Sequence, residues 1–148
     1  MSKSKIPKHI RSIVAKRAKW NCEYCVSQER FAPQPFTVDH FDPESNGGDS
    51  DLNNLVYCCQ GCNGAKSDKT RLLDPVIKNY VSLFNPRKQR WNDHFAWDDE
   101  FSHIIGLTPE GRVTVIALQL NRRILIELRK FLHSVGEHPP FGAIEDAA

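Results

Sequence analysis

No apolar run in this 148-residue chain approaches the ~20 residues that a membrane-spanning helix needs. No apolar stretch follows the basic N-terminus, so a secretory signal is not indicated and the cytoplasm is the default expectation. The first twenty residues lack any Asp or Glu, and no internal repeat is visible beyond two Cys-x-x-Cys pairs. Cysteine is sparse, five in all, and four of the five sit in those pairs. In a reducing compartment they read as thiolate metal ligands rather than disulfides. The length suits one domain, or a small core with a packed extension, and a chain this short gains from a metal staple.

What is present is unevenly placed. Lys3, Lys5, Lys8, Arg11, Lys16, Arg17 and Lys19 put +7 on the first twenty residues; the whole chain carries +2, so the remainder carries −5. A basic arm on a mildly acidic body suits a phosphate backbone, with Lys16, Arg17 and Lys19 as candidate nucleic-acid contacts. A solvated helix face explains the same charges. Pro7 falls in the first turn of a predicted helix over about 8–19, where Ile10, Ile13, Val14 and Ala18 recur at helical spacing. Pro33 and Pro35 argue against regular structure over 26–35.

Phe36-Thr37-Val38 is β-prone and leads into Asp39-His40; Leu55-Val56-Tyr57 is a second short apolar run. Between them lies a loop over about 42–51 with Gly47-Gly48 at its tip. Residues 63–68 have room for one or two helical turns. A short helix or loop is expected over 75–83, ended by Asn85-Pro86, then a hairpin within 91–107 turning at Asp98-Asp99-Glu100. Thr108-Pro109 reads as a helix start, N-cap then first helical position. Helical sequence continues to about Val135, before Gly136, with Asn121 as a candidate second N-cap and Ile124, Leu125, Leu128, Phe131 and Leu132 as a fresh apolar face. Residues 137–148, with Pro139-Pro140, are expected to fray.

Cys22-x2-Cys25-x33-Cys59-x2-Cys62 fits a tetrahedral four-thiolate zinc site. A two-residue gap lets both sulfurs of a knuckle reach one ion while the turn between them offers backbone N–H groups. Cys58 gives an alternative pairing with Cys62, but Cys59 makes the two knuckles match. A redox reading of Cys-x-x-Cys usually involves a single motif at a helix start.

Inside this frame, Asp39 and His40 are adjacent on a strand, so their side chains point to opposite sides. Asp39 offers a hard oxygen to a divalent cation, and His40 has the proton affinity to act as a base near neutral pH. Asn54 is placed to hold the imidazole through its side-chain carbonyl, Asn63 to add a second oxygen ligand, and Lys66 to bring charge to a phosphate. A cation with two protein ligands keeps open positions for phosphate oxygens and water.

Cys22-x-Tyr24-Cys25, Val38-Asp39-His40-Phe41-x-Pro43, Gly47-Gly48, Asn54-Leu55-Val56 and Cys59-x-x-Cys62-Asn63-x-x-Lys66-x-Asp68 together resemble the HNH endonuclease family. The resemblance covers residues 20–70 and implies an α+β chain with a ββα-metal core: a β-hairpin with a short helix packed across it. It implies His40 as general base, Asn54 orienting it, Asp39 and Asn63 as ligands of one divalent ion, and Cys22, Cys25, Cys59 and Cys62 as the structural zinc site of the zinc-containing branch. Asn63 stands where many members have His, which biases the ion toward Mg²⁺ or Mn²⁺. Ser67 stands where colicin-type members carry a further His ligand.

The expected organisation is a basic arm and helix over 1–20, a nuclease core over 21–70, and a hairpin-plus-helix extension over 71–148. Phe84-Asn85-Pro86-Arg87, Trp91-x-x-His94-Phe95, Gly106-Leu107-Thr108-x-x-Gly111-Arg112 and Leu120-Asn121-Arg122 resemble an extension of some bacterial HNH proteins. There, His94, Trp97 and His103 either line a DNA groove or pack a core. Arg112, Arg122, Arg123 and Arg129 either touch phosphate or form a solvated face. The expected partner is DNA and not a membrane; a protein partner or homo-oligomer is left open. A DNA-cleaving enzyme competes with a zinc-stabilised nucleic-acid-binding module that does not cleave, and with a protein–protein module. The intact Asp39, His40, Asn54 and Asn63 set favours the enzyme, because binding alone requires neither a base nor an open hard-metal site.

Overall fold

The computed structural model describes residues 5–140, so Lys3 of the basic arm and residues 141–148 of the expected tail lie outside it. Helix α1 spans Lys8–Arg17, with Pro7 as its extended N-cap rather than within its first turn. Val14, Ala15 and Ala18 form its buried face, while Ile13 turns outward. The Arg17 guanidinium donates to the carbonyl of Leu55, tying the helix to the strand that follows the central loop.

Strands β1 (Thr37–His40) and β2 (Leu55–Cys58) pair antiparallel, with Thr37 opposite Cys58 and His40 opposite Leu55. Helix α2 (Gln60–Lys66) begins two residues after β2 and packs against β1, completing a ββα unit. It starts three residues earlier than the sequence suggests, because Cys59 caps it: the Cys59 Sγ accepts from the Cys62 N–H.

The segment after α2 departs from expectation. Instead of a short helix or loop, it forms a second hairpin, β3 (Arg71–Leu73) with β4 (Tyr80–Ser82). Its turn is organised by Asp74, whose carboxylate accepts the Ile77 N–H and is gripped by Arg112 Nε and Nη2 at 3.1 and 2.8 Å. Pro75, Val76 and Ile77 are exposed in that turn, so their apolar character does not report a buried helix.

A single-turn helix α3 (Trp91–His94) feeds the hairpin β5 (Phe95–Trp97) and β6 (Ile104–Gly106), as the sequence anticipates from Phe95 onward. Helix α4 (Pro109–Ala117) starts as expected, the Thr108 hydroxyl accepting from the Gly111 N–H. Its approach to β6 explains two glycines. A Cβ on Gly111 would overlap the His94 carbonyl, and one on Gly106 would lie 2.6 Å from the Arg112 nitrogen.

Helix α5 spans Arg123–Ser134. Asn121 is not its cap: its side chain accepts from the Ile104 N–H at 2.7 Å and donates to the Ile104 carbonyl at 2.9 Å, holding β6. Of the expected apolar face, Leu125 and Leu132 are buried and Ile124 and Phe131 are exposed. One core cluster runs from Val14 to Leu125 and includes the knuckle cysteines, Phe84, Trp91 and Phe95. His94 and Trp97 pack rather than line a groove: His94 tilts against Phe84, and Trp97 lies 5.5 Å from Trp91. His103 pairs with Asp98 on the hairpin turn. Among the described residues, no helix is long and apolar enough to cross a membrane.

His138 closes the far end of the extension. It is buried edge-on against Trp97, its Nε2 2.9 Å from the Phe101 carbonyl, and burial lowers its pKa from 6.5 to about 4. The unfolded chain therefore binds more protons than the folded one between those values. Stability from this group is full above about pH 6.5 and lost as pH falls toward 4. Thermal unfolding followed from pH 7.5 to 4.5 is expected to lose on the order of 1–3 kcal/mol from this source. A His138→Gln chain should have a flatter profile over that interval; an unchanged slope would exclude His138 as its origin.

Candidate active site and metal cage

Two turns of backbone bring four sulfurs together. In the first knuckle the Cys25 N–H points at Cys22 Sγ (3.5 Å) and the Val26 N–H donates to the Cys22 carbonyl (3.0 Å). Val26 sits at φ +67°, a costly conformation for a β-branched residue that the surrounding core must hold. The second knuckle is the capped start of α2. Sγ atoms of Cys22, Cys25, Cys59 and Cys62 all lie within 4.8 Å of one another, and Cys25 and Cys59 are 3.7 Å apart. A tetrahedron with ~2.3 Å zinc–sulfur bonds has edges of about 3.8 Å, so this cluster fits zinc. Disulfide bonding would need ~2.05 Å. Burial pushes the Cys22 thiol well up, while hydrogen bonds from Cys22, Cys59 and Cys62 hold Cys25 well down. Four buried thiolates without a cation would repel one another, and a divalent ion removes that conflict. Cys58, buried at the end of β2, stays outside the cluster, in agreement with the Cys59 pairing.

The β1–β2 hairpin divides its two functional side chains as strand alternation requires. Asp39, almost wholly buried, faces α2, where Lys66 Nζ lies 3.6 Å from its Oδ2. His40 faces the 42–51 loop: its Nε2 is 2.9 Å from Ser50 Oγ and 3.4 Å from Glu44 Oε1. His40 Nδ1 is buried and has no hydrogen-bond partner among the described residues. Asn63 stands half-buried on α2, three residues before Lys66.

Two expected roles change. Asn54 does not hold the imidazole itself. Its Oδ1 accepts from the Asp42 N–H at 2.9 Å, and its Nδ2 donates to the carbonyls of Asp42 (3.1 Å) and Asp49 (2.7 Å). It closes the loop that presents Glu44 and Ser50 to His40. Lys66 is not available to a phosphate in solution. Its side chain is fully buried, donating to the Phe41 carbonyl at 2.9 Å beside the Asp39 carboxylate. Sequence spacing alone does not distinguish an exposed lysine from one in this position.

Of the basic residues proposed for nucleic acid, Lys16 and Lys19 are exposed, and Arg17 is committed to Leu55. The arginines of the extension are mostly internal. Arg112 grips Asp74, and Arg129 donates to the Ser102 and Leu120 carbonyls over the face of Trp97. Arg122 reaches the cysteine cluster, which no local pattern announces across a separation of sixty residues. Ser50 and Glu44 were equally invisible, as ordinary polar residues of a polar loop.

Stripping metal with a chelator, or replacing Cys62 by Ser, is expected to abolish cooperative thermal unfolding, because zinc-binding energy is folding energy at such a site. A Cys62→Ser chain melting at the wild-type temperature would contradict the cage.

Comparison with curated proteins and with solved structures gives no match. A family model does match: HNH endonuclease, over residues 22–69. That span begins at the first cage cysteine and contains the β1–β2 hairpin, α2 and the remaining three ligands. Residues 22–69 therefore match the HNH endonuclease family, and the four-cysteine cluster fits its zinc-containing type.

Proposed function

We propose that this chain is a metal-dependent HNH endonuclease that hydrolyses phosphodiester bonds of DNA. The observation that carries the reading is the imidazole of His40. Ser50 and Glu44 engage its Nε2, while Nδ1 is without a hydrogen-bond partner among the described residues. That arrangement favours the tautomer with hydrogen on Nε2 and a lone pair on Nδ1, the form a general base requires.

In the proposed step a water oxygen bonds to phosphorus and the water proton passes to His40. The bond from phosphorus to one sugar oxygen breaks, and that oxygen is protonated from solvent. Asp39 and Asn63, on facing elements β1 and α2, offer a carboxylate and an amide oxygen, a donor set suited to Mg²⁺ or Mn²⁺. Such an ion supplies Lewis-acid stabilisation of charge on the phosphate and the leaving oxygen. Lys66 balances the Asp39 carboxylate from beneath, and the exposed Lys16 and Lys19 offer charge to the DNA backbone.

One observation favours the second reading, a zinc-stabilised module that binds nucleic acid without cutting it. Asp39 and His40 are only 1% and 2% exposed, so a phosphate reaches them only if the elements that cover them move.

Plasmid cleavage with purified protein separates the two. Nicking or linearisation that requires Mg²⁺ or Mn²⁺ is expected, falling about 10²–10⁴-fold in His40→Ala with zinc content unchanged. Cleavage undiminished in that variant would remove His40 as the base; DNA binding without cleavage in the wild type would establish the second reading. Asn54→Ala is expected to reduce cleavage by freeing the loop, and to cost about 1–3 kcal/mol of stability through the buried groups left unpaired. Full activity in Asn54→Ala would break the proposed link from that loop to the imidazole.

A further inference from the structure

The extension after residue 70 closes over both zinc knuckles. Arg87 pairs with Glu23, inside the first knuckle, and Trp91 Nε1 donates to the carbonyl of Tyr24, the residue between Glu23 and Cys25. Over the second knuckle lies Arg122. Its Nη2 is 3.5 Å from Cys59 Sγ and 3.8 Å from Cys62 Sγ, and its Nη1 is 3.7 Å from Cys62 Sγ. The other side of the guanidinium is held by α4: Nη1 donates to the carbonyls of Leu118 and Gln119 at 3.2 and 3.1 Å. The α4–α5 corner that aims it is rigidly built. Leu118 and Leu120 are wholly buried on either side of Gln119, which sits at φ +51°, and Arg129 anchors the Leu120 carbonyl.

Charge explains why a cation belongs there. Four thiolates around one divalent ion leave a net charge of about −2 in a buried site. The backbone N–H groups of Cys25 and Cys62 offer partial positive charge to the sulfurs. Among the described residues, Arg122 is the cationic side chain hydrogen-bonded to them. Gly61, in the first turn of α2, leaves the space it occupies: a Cβ there would overlap Arg122 Nη2.

We propose that Arg122 is a positioning residue of the zinc cage, neutralising the thiolates of Cys59 and Cys62, and that the extension serves to hold it there and slow metal loss. The proposal rests on the zinc cage and is independent of whether the chain cleaves DNA.

The test measures zinc release from the purified full-length chain to a colorimetric chelator, with circular dichroism as the check on folding. Arg122→Met keeps the stem and removes the charge; it is expected to release zinc about 10–100-fold faster. Arg122→Lys restores a point charge without the two-pronged contact and should fall between Met and wild type. Gly61→Ala reaches the same end from the other side, pushing the flexible guanidinium off the sulfurs while improving α2's intrinsic helix propensity. Faster release from that variant is not explained by a weaker helix, and it replaces the Met variant should the latter not fold. Cobalt-substituted protein supplies a spectroscopic readout. Without the arginine the sulfurs become more electron-rich, so the thiolate-to-cobalt absorption is expected to move to longer wavelength. Release within about twofold of wild type from folded Arg122→Met and Gly61→Ala, with the cobalt band unmoved, would overturn the proposal. A purified chain without zinc would overturn the cage itself, whereas loss of cleavage with normal zinc release would bear only on the nuclease reading.

Discussion

The convergence of four sulfurs on one point is the constraint from which the rest of the architecture follows. The first knuckle lies before β1 and the second directly after β2, so a metal there closes the chain from Cys22 to Cys62 with the hairpin inside. Closing such a loop is entropically costly, and a two-strand hairpin with four residues per strand does not repay it alone. Helix α2 is in the same position. Seven residues are too few for an independent helix, and its N-terminus is capped by a ligand sulfur, so the event that closes the loop also nucleates the helix. The elements carrying Asp39, His40 and Asn63 thus depend on the cysteine cluster built by other residues.

On that frame the polar interior is arranged for specificity more than stability. Lys66 and Asp39 are both buried, and such a pair returns little net energy after desolvation, though breaking it would strand a charge. What the pair does is fix which way the Asp39 carboxylate faces. Across the strand, Asn54 acts at one remove, closing the loop from Asp42 to Asp49 so that Glu44 and Ser50 meet the imidazole. The two sides of β1 are built by different means, an ion pair on one and a stapled loop on the other.

These differences explain how much was readable beforehand. Features fixed by local geometry were visible: cysteine spacing sets a knuckle, Thr108-Pro109 sets a helix start, and β-prone runs around an acidic turn set the 95–106 hairpin. The ββα core was legible because its ligands, strand pair and helix occupy one contiguous stretch. What failed depended on distant partners. The β3–β4 hairpin is held by Arg112 from thirty-eight residues away, so Pro75-Val76-Ile77 gave no sign of a turn. Ile13 and Ile124 fit their helices' apolar periods and face solvent, because the neighbouring elements cover only part of each stripe. The sequence places Lys66 at a phosphate and leaves Arg122 between a phosphate and a solvated face, because a cation in a sequence carries no sign of whether its counter-charge is DNA, a carboxylate or a thiolate.

The arginines make the same point about the extension. A stretch containing Arg87, Arg112, Arg122 and Arg129 looks like a basic surface, yet each places its guanidinium on an internal acceptor: Glu23, Asp74, two cysteine sulfurs, two backbone carbonyls. Planar guanidinium groups with several fixed donors suit this work better than lysine, since one side chain can satisfy two acceptors on different elements. Arg122 does so between α4 and the cage, and Arg129 between the β5–β6 hairpin and the α4–α5 corner. Exposed cations remain on α1, at Lys8 and Lys16, and on the extension, at Lys88, Arg90, Arg123 and Lys130, while Arg17 ties α1 to β2. Helix α1 is joined through Leu55 to the strand whose partner carries His40, so the basic helix and the imidazole are mechanically linked through one hairpin.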